Sequence, residues 1–204
     1  MSKPRQRLLE TATRLFTERG YECVGINEII EKAEVAKASF YQHFPSKQDL
    51  CAAWLREEAA RSEECQRGVL ASRTSLRRKL AAQFDDLSCR VSGNCFRGCP
   101  FAVTAAMTEA GAESREIIRE HTEASRRFWQ DLAREAGSSP ARTRDLGDAW
   151  FLLYTGAFTQ VQNAGAAWPL EQARKSAVPL LQAACGEGAS ARPCPVRARQ
   201  PAAS

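Results

Sequence analysis

Six polar side chains lie close together in residues 37–47, and their types suit contacts to nucleic acid. Ammonium, hydroxyl, phenol, amide and imidazole groups supply the hydrogen-bond donors that bind phosphates and base edges. Phe40 and Phe44 are four residues apart, so they share one face of a helix and leave the polar groups on the others. The alternative for a short stretch is an ordinary solvated helix face. The polar residues are Lys37, Ser39, Tyr41, Gln42, His43 and Lys47.

A second candidate for chemistry is the segment CFRGCPF, which begins at Cys95. Cys99 precedes Pro100, a residue that suits the first turn of a helix. A thiol at a helix N-terminus with Arg97 nearby would have a lowered pKa and would react with electrophiles. The alternative is a small buried residue at a tight turn. Cys95 and Cys99 are therefore candidate thiol sensors.

The other reactive residue types form no catalytic or metal-binding pattern. None of the eight cysteines pairs as CxxC, and the two histidines, His43 and His121, are far apart in the sequence. A glycine-rich phosphate loop, GxSxG and HExxH are all absent from the sequence. We therefore expect neither an enzyme nor a metal site, and no cofactor.

Composition is typical of a soluble globular protein. Of the 204 residues, 44% are hydrophobic and 26% are charged, which is close to globular averages. The net charge of +5 is too small for a polycation, so binding to nucleic acid would need a local patch. No apolar run is long enough to span a membrane, so we expect no membrane partner and a cytoplasmic location with reduced thiols.

Helical periodicity recurs from end to end, without the sustained alternation that is typical of strands. The pattern predicts an all-α fold that opens with three short helices. The first stops at Gly20, the second covers 27–33, and the third covers 37–44 because Pro45 ends it. Two short helices joined by three or four residues are a helix-turn-helix candidate.

A larger helical body is predicted to follow. Ser46 begins the fourth helix, with Asp49 completing a capping box. The predicted organisation is a helix-turn-helix domain at 1–46, a helical domain at 47–185 and a disordered tail at 186–204, where large apolar side chains are scarce. Glycine and proline divide the body into helices at about 73–92, 100–110, 112–136, 142–164 and 170–185.

The beginning of the chain closely resembles the N-terminal domain of TetR-family transcriptional regulators. The resemblance covers about residues 5–50, in the order RLLETATRLFTERGY…INEIIEKAEVAKASFYQHFPSKQDL. Its most specific part is the string FYQHFPSK at 40–47. The resemblance implies a three-helix DNA-binding domain, followed by a body that encloses a small-molecule inducer and forms a homodimer.

For the polar stretch, the resemblance implies a recognition helix at 37–43 that lies in the major groove of operator DNA. Lys37, Ala38 and Gln42 would lie nearest to base edges. Free backbone N–H groups at the start of the fourth helix would also favour a phosphate near Lys47. The residues that would hold phosphates or orient the helix are Ser39, Tyr41, His43 and Lys47.

The chain departs from the family pattern at the turn of this motif. Glu34 replaces the usual glycine, and a left-handed conformation there would cost about 1–2 kcal/mol. Ala36 replaces the usual serine cap, which loses about 0.5–2 kcal/mol. Residues 1–50 carry eight Lys and Arg against seven Asp and Glu, a net +1. These features leave an alternative open, a helical carrier or interaction protein whose helix-turn-helix domain no longer binds DNA.

Basic residues before the first predicted helix add to the expected DNA contacts. They are expected to form a flexible arm that reaches the phosphate backbone or the minor groove. The residues of this arm are Lys3, Arg5 and Arg7.

The cavity that the resemblance implies would be walled by bulky residues from 84–107, 117–132 and 146–158. Large apolar side chains at helical spacing are alternatively ordinary core. His121 lies on an apolar stripe, where it is either satisfied in the core or the single polar anchor of a ligand. Few charges fall on these stripes, so an uncharged or weakly acidic lipophilic inducer is expected. The residues assigned to the ligand site are Phe84, Phe101, Met107, His121, Phe128, Trp150, Tyr154 and Phe158.

Dimerisation is expected through the two last helices, as a four-helix interface. Pro179 should kink the second of them because it removes a helical hydrogen bond. The function predicted is that of a repressor released from a palindromic operator by a small lipophilic molecule, or alternatively by modification of a cysteine. The apolar faces expected in the interface are Trp150, Leu153, Tyr154, Ala157, Phe158 and Val161, with Ala173, Ala177, Leu180, Leu181 and Ala184.

Overall fold

The computed structural model describes residues 2–92, 98–107 and 111–186, and over these ranges it contains nine α-helices and no strand. The predicted all-α fold is confirmed. The helices are α1 (Lys3–Arg19), α2 (Ile26–Ala33), α3 (Lys37–His43), α4 (Lys47–Ala71), α5 (Leu76–Ser92), α6 (Pro100–Ala105), α7 (Ala112–Arg134), α8 (Pro140–Ala164) and α9 (Trp168–Gly186).

Most helix bounds fall within a few residues of the predicted ones. The exception is the helix predicted at 100–110, which ends at Ala105. Pro179 lies inside α9, which continues past it to Gly186. The predicted tail lies outside the described residues from 187 onward, and the domain bounds at 46 and 185 stay a prediction.

The first three helices pack around one apolar core with the first turns of α4. The ring of Phe16 on α1 packs edge-on against the rings of Tyr21 and Trp54, with centroids 5.2 Å apart in both pairs. Phe40 is fully buried and Phe44 almost fully, so the apolar face predicted for the third helix holds α3 in this core. We call this cluster, together with the helices that form it, the reading head.

The turn between α2 and α3 keeps its left-handed conformation although it lacks glycine. Glu34 has φ 50° and ψ 49°, and its N–H donates to the carbonyl of Ile30 or Glu31 at the end of α2. Its carboxylate accepts a hydrogen bond from Arg7 at 2.9 Å. Ala36 caps α3 without a side-chain hydrogen bond, as its type predicts.

The predicted capping box of α4 is confirmed. The N–H of Asp49 donates to the hydroxyl of Ser46 at 3.2 Å. The same hydroxyl donates to the Asp49 carboxylate at 2.6 Å. This cap fixes the start of α4 directly after the reading head, because Leu50 in its first turn is already fully buried.

A second apolar core joins α5, α7, α8 and α9. Trp150 of α8 is fully buried, and its indole N–H donates to the carbonyl of Ala177 on α9 at 3.0 Å. Helices α7 and α8 approach closely at Gly147, where an added Cβ would lie only 2.6 Å from the Cα of Gln130. A side chain at position 147 would therefore force these two helices apart.

Helix α4 contacts both cores, and its far end accepts a hydrogen bond from a buried lysine. Val69 and Leu70, near its C-terminus, pack against the second core. Lys79 of α5 is only 5% exposed, and its ammonium donates to the carbonyl of Leu70 at 3.0 Å and to the carboxylate of Glu135 at 2.7 Å. One lysine therefore connects α4, α5 and the end of α7.

The structure corrects the apolar face that we expected in a dimer. In α8, Trp150, Ala157 and Val161 are buried in the second core of their own chain. In α9, Ala173 and Ala177 are buried in the same core. These five residues therefore pack within their own chain, whereas Leu180 of the same expected set is exposed.

Candidate nucleic-acid interface and ligand cavity

The polar face of α3 is presented to solvent, as its spacing predicts. Lys37, Ala38, Tyr41 and Gln42 are exposed on the surface opposite Phe40. Helix α3 has seven residues and no side-chain cap, so its buried aromatic side chains fix its position on the reading head. The arrangement suits a helix that enters the major groove with its polar side outward.

Two polar side chains flanking this face are held by neighbours on the reading head. The half-buried imidazole of His43 lies with Nε2 3.2 Å from the hydroxyl of Ser2. The ammonium of Lys47 lies 4.1 Å from the centre of the Tyr21 ring, a cation–π contact. Ser39 is half-buried in α3. These contacts reduce the conformational freedom of side chains assigned to phosphate binding.

The expected flexible arm is wrong for the described residues. Lys3, Arg5 and Arg7 all lie within α1, which begins at Lys3. The guanidinium of Arg5 lies 5.1 Å from the centre of the Phe44 ring, and that of Arg7 pairs with Glu34. A proline near the helix start supports this extension of α1, because its ring fixes a helical φ.

A cavity of about 540 Å³ lies between α4, α5, α6, α7 and α8. Four of the eight residues assigned to a ligand site line it, namely Phe101, His121, Tyr154 and Phe158. Trp129, which that assignment left out, also lines it. The volume falls in the range of small-molecule sites, roughly 300–1,000 Å³.

The other four assigned residues lie outside the lining. Phe84 is buried behind it, with its ring centroid 6.3 Å from that of Trp129. Phe128 and Trp150 are buried in the second core, and Met107 packs against the reading head. Neighbouring positions on a helix differ by 100°, so a stripe read from the sequence did not distinguish the core side from the cavity side.

Helix α4 supplies a wall of the cavity that the sequence stripes did not include. Its contribution is polar, and in the sequence this stretch resembles a solvated helix face. The signal that could have identified it is the recurrence of small and amide side chains three and four residues apart, which lets a helix pass close to a ligand. The lining residues from α4 are Glu58, Arg61, Ser62, Cys65 and Gln66.

His121 is stacked inside this cavity and stays neutral at physiological pH. Its ring lies parallel to that of Phe101, with centroids 3.6 Å apart and planes 14° apart. Nε2 lies 3.4 Å from the hydroxyl of Ser125, and this hydroxyl accepts a hydrogen bond from the amide of Gln66 at 3.4 Å. Nδ1 is buried without a hydrogen-bond partner among the described residues. Burial disfavours the charged ring and lowers the pKa of His121 to about 4.

This lowered pKa predicts a loss of stability in mild acid. The pKa of His121 is about 4 in the folded chain and near 6.5 in the unfolded chain. Between these values the unfolded chain binds more protons, so the free energy of unfolding should fall as pH drops from about 6.5 to about 4. His121→Phe keeps the ring stack and should flatten this part of the curve of urea midpoint against pH. Parallel curves for parent and variant would contradict the assignment.

The cysteines of the described residues have different environments. Cys99 is half-buried, caps the start of α6 and lines the cavity, whereas Cys95 and Arg97 lie outside the described residues. Cys51 is buried in the reading-head core, and desolvation raises its pKa to about 11, which makes it a poor nucleophile. A thiol sensor at Cys99 or Cys95 therefore stays a prediction.

Neither a metal-ligand cluster nor a membrane-spanning helix is found among the described residues. No group of three or more His, Cys, Asp or Glu side chains is arranged to hold a metal ion. Within the same ranges, every helix is too short or too polar to cross a membrane.

Comparison with known proteins identifies the reading head. The sequence model of bacterial regulatory proteins of the tetR family matches residues 8–54. The HTH-type transcriptional regulator LmrA of Bacillus subtilis is 28% identical over 169 residues, which cover 81% of this chain and 90% of that protein. The HTH-type transcriptional repressor DhaR of a Mycobacterium species is 50% identical over 44 residues, 22% of each chain.

A solved structure extends the likeness beyond the reading head. A TetR-family transcriptional regulator from Streptomyces coelicolor is 25% identical in sequence and superposes with a TM-score of 0.76. The superposition covers 91% of this chain and 97% of the other. The matched proteins are regulators and not enzymes. The motif, the fold and these likenesses agree: residues 8–54 match the DNA-binding domain of the tetR family, and over most of its length the chain is similar to TetR-family transcriptional regulators.

Proposed function

We propose that the chain is a repressor that binds a palindromic operator as a homodimer and leaves it when a small lipophilic molecule fills the cavity. The observation that carries this proposal is the course of α4. Residues 50–55 are buried in the reading head, and residues 58–66 of the same helix line the cavity. A ligand that contacts α4 therefore acts on the element that supports the recognition helix.

Release requires that the ligand favour one arrangement of the two reading heads. A ligand shifts a conformational equilibrium only by the difference between its affinities for the two states. A cavity whose wall includes α4 provides such a difference, because its shape changes whenever α4 moves against α7. Arg56 of α4 pairs with Glu113 of α7, and Gln66 reaches Ser125 further along, so the two helices are in register along the cavity.

The test of DNA binding uses a duplex from the region upstream of the protein's own gene. Lys47→Ala should weaken binding to every sequence and reduce the slope of log K against log salt by about one, because one phosphate contact is lost. Gln42→Ala should instead change the preference among operator variants. Lys175→Ala on α9 removes the same charge from an exposed site far along the chain and serves as the control.

Two outcomes would contradict these roles. A change of sequence preference in Lys47→Ala with an unchanged salt slope would mean that Lys47 reads bases. Failure of the parent protein to shift this duplex at moderate salt would favour the alternative function, a carrier or interaction protein with an inactive reading head.

The proposed homodimer uses the solvent side of the last two helices. Leu152 on α8 is 66% exposed and Leu180 on α9 is 37% exposed, and both are large apolar side chains. Exposed apolar side chains on adjacent helices are typical of a subunit interface. This surface keeps Leu180 of the stripe expected from the sequence and adds Leu152, which that stripe did not include.

Leu152→Glu should convert the dimer to a monomer at micromolar concentration, because it would bury a carboxylate in the contact. Sedimentation velocity measures the change, and the thermal midpoint of the variant should stay near that of the parent. Leu152→Ala shortens the side chain without adding charge and should weaken the dimer less. A Leu152→Glu variant that sediments like a dimeric parent would place the interface elsewhere.

A further inference from the structure

The described part of the cavity lining contains more acidic than basic side chains. Among the described lining residues, the charged groups are the carboxylates of Glu58 and Asp86 and the guanidinium of Arg61. Arg61 donates to Glu58 at 2.7 Å, so its charge is already compensated. The side chain of Glu58 is 13% exposed and that of Arg61 is 60% exposed, which places the acid deeper than the base.

Asp86 adds a second carboxylate to the lining, at a position that is exposed to solvent. It lies on α5 and has no ion-pair partner among the described residues, whereas the adjacent Asp85 pairs with Arg174 at 2.8 Å. His121 does not balance this charge, since its imidazole is neutral at physiological pH. The described part of the lining therefore has a net formal charge of −1.

Aromatic rings form the apolar part of the same lining. The centroids of Trp129 and Tyr154 are 5.3 Å apart, and those of Tyr154 and Phe158 are 6.2 Å apart, so these three rings make one continuous wall. Phe101 and Phe151 also line the cavity. Aromatic faces carry negative electrostatic potential and attract cations, more strongly where water is excluded.

We infer that the ligand of this cavity is a lipophilic organic cation, with an aromatic or alkyl body around a quaternary or protonated onium centre. The inference rests on the proposed function, in which this cavity receives the inducer. The cation would lie against the aromatic wall with its charge toward Glu58 and Asp86. This ligand class replaces the uncharged or weakly acidic inducer expected from the sequence, which did not include the α4 wall.

An anion of the same size is disfavoured by the same residues. It would lose its hydration next to two carboxylates, and Arg61 would have to abandon Glu58 to pair with it. A neutral molecule would gain the apolar contacts but no attraction from the carboxylates. Charge at constant shape is therefore the property that separates the ligand classes.

Tetraphenylphosphonium and tetraphenylborate provide this comparison, because they have nearly the same shape and opposite charge. Titration calorimetry with the full chain should give at least tenfold tighter binding of the phosphonium ion. Glu58→Gln should weaken phosphonium binding about three- to tenfold, whereas Arg61→Gln should strengthen it several-fold because it frees Glu58. Glu64→Gln removes a carboxylate from the exposed Glu64–Arg67 pair, outside the lining, and should leave both affinities unchanged.

The outcomes separate this inference from the proposed function when the upstream duplex is included. Phosphonium binding that also releases the duplex, with the opposite effects of the two α4 variants, supports both. The cationic ligand class is overturned if the borate binds as tightly as the phosphonium ion or more tightly, or if Glu58→Gln and Glu64→Gln have equal effects. Release of the duplex by the borate would still support the proposed function. Binding of neither ion overturns the inference, and a parent that does not bind the duplex overturns the repressor role alone.

Discussion

Phe40→Ala is expected to lower the free energy of unfolding by about 3–5 kcal/mol and to abolish specific DNA binding. Phe40 is fully buried, and its ring packs edge-on against that of Tyr41 with centroids 5.2 Å apart. Helix α3 is short and lacks a side-chain cap, so Phe40 and the neighbouring Phe44 are its main anchors in the core. Urea unfolding followed by circular dichroism gives the stability, and a mobility shift below the unfolding midpoint gives the DNA affinity.

Phe40→Leu is the matched control because it keeps most of the buried volume. It should cost under about 1.5 kcal/mol and retain measurable binding to the operator duplex. A Phe40→Ala variant that binds the duplex like the parent would show that α3 is positioned by other contacts. That result would also remove the reason for treating residues 37–43 as one rigid reading surface.

Trp150→Ala is expected to have an effect of similar size on the other core. Removal of a fully buried indole should cost about 3–5 kcal/mol, and the carbonyl of Ala177 would lose its donor. Trp150→Phe should cost less, because it retains a ring and loses mainly the hydrogen bond. Urea midpoints measured by circular dichroism rank the variants.

Trp168→Ala provides the control for Trp150→Ala within the same pair of helices. Trp168 is 61% exposed at the start of α9, so its removal should change the free energy of unfolding by under about 0.5 kcal/mol. Similar costs for the two alanine variants would contradict the packing of α8 against α9. A large cost at Trp168 that depends on protein concentration would instead place this indole in the dimer interface.

The reading head could be predicted almost completely because its signals are local. Short-range signals determine where these elements begin and end. They are the apolar pair Phe40 and Phe44, four residues apart, the capping box at Ser46, and the helix-breaking residues around each short helix. The left-handed conformation at Glu34 was foreseen only through the family resemblance, in which a glycine usually occupies this turn. Local rules failed only for Lys3, Arg5 and Arg7, where α1 extends further than its apolar stripe.

The cavity was predicted only in part because it depends on distant contacts. Phe128 and Trp129 are adjacent in sequence, yet one faces the second core and the other also lines the cavity. The part of α4 that lines the cavity is polar. A polar residue in a sequence can face either solvent or a cavity, so its type alone does not show which. The same ambiguity affects the stripe of α8, where Trp150 and Val161 pack inward and Leu152 faces outward.

The fastening of α4 by Lys79 gives the helix the mechanics of a lever. Its fixed end is at Leu70, the cavity residue Ser62 lies eight residues away, and Leu50 in the reading head lies twenty residues away. At 1.5 Å per residue, these arms are about 12 Å and about 30 Å long. A sideways push of about 1 Å at Ser62 would thus become a swing of about 2.5 Å at the reading head. In the proposed homodimer, a ligand that displaces α4 only slightly would therefore change the distance between the two reading heads by about 2.5 times as much.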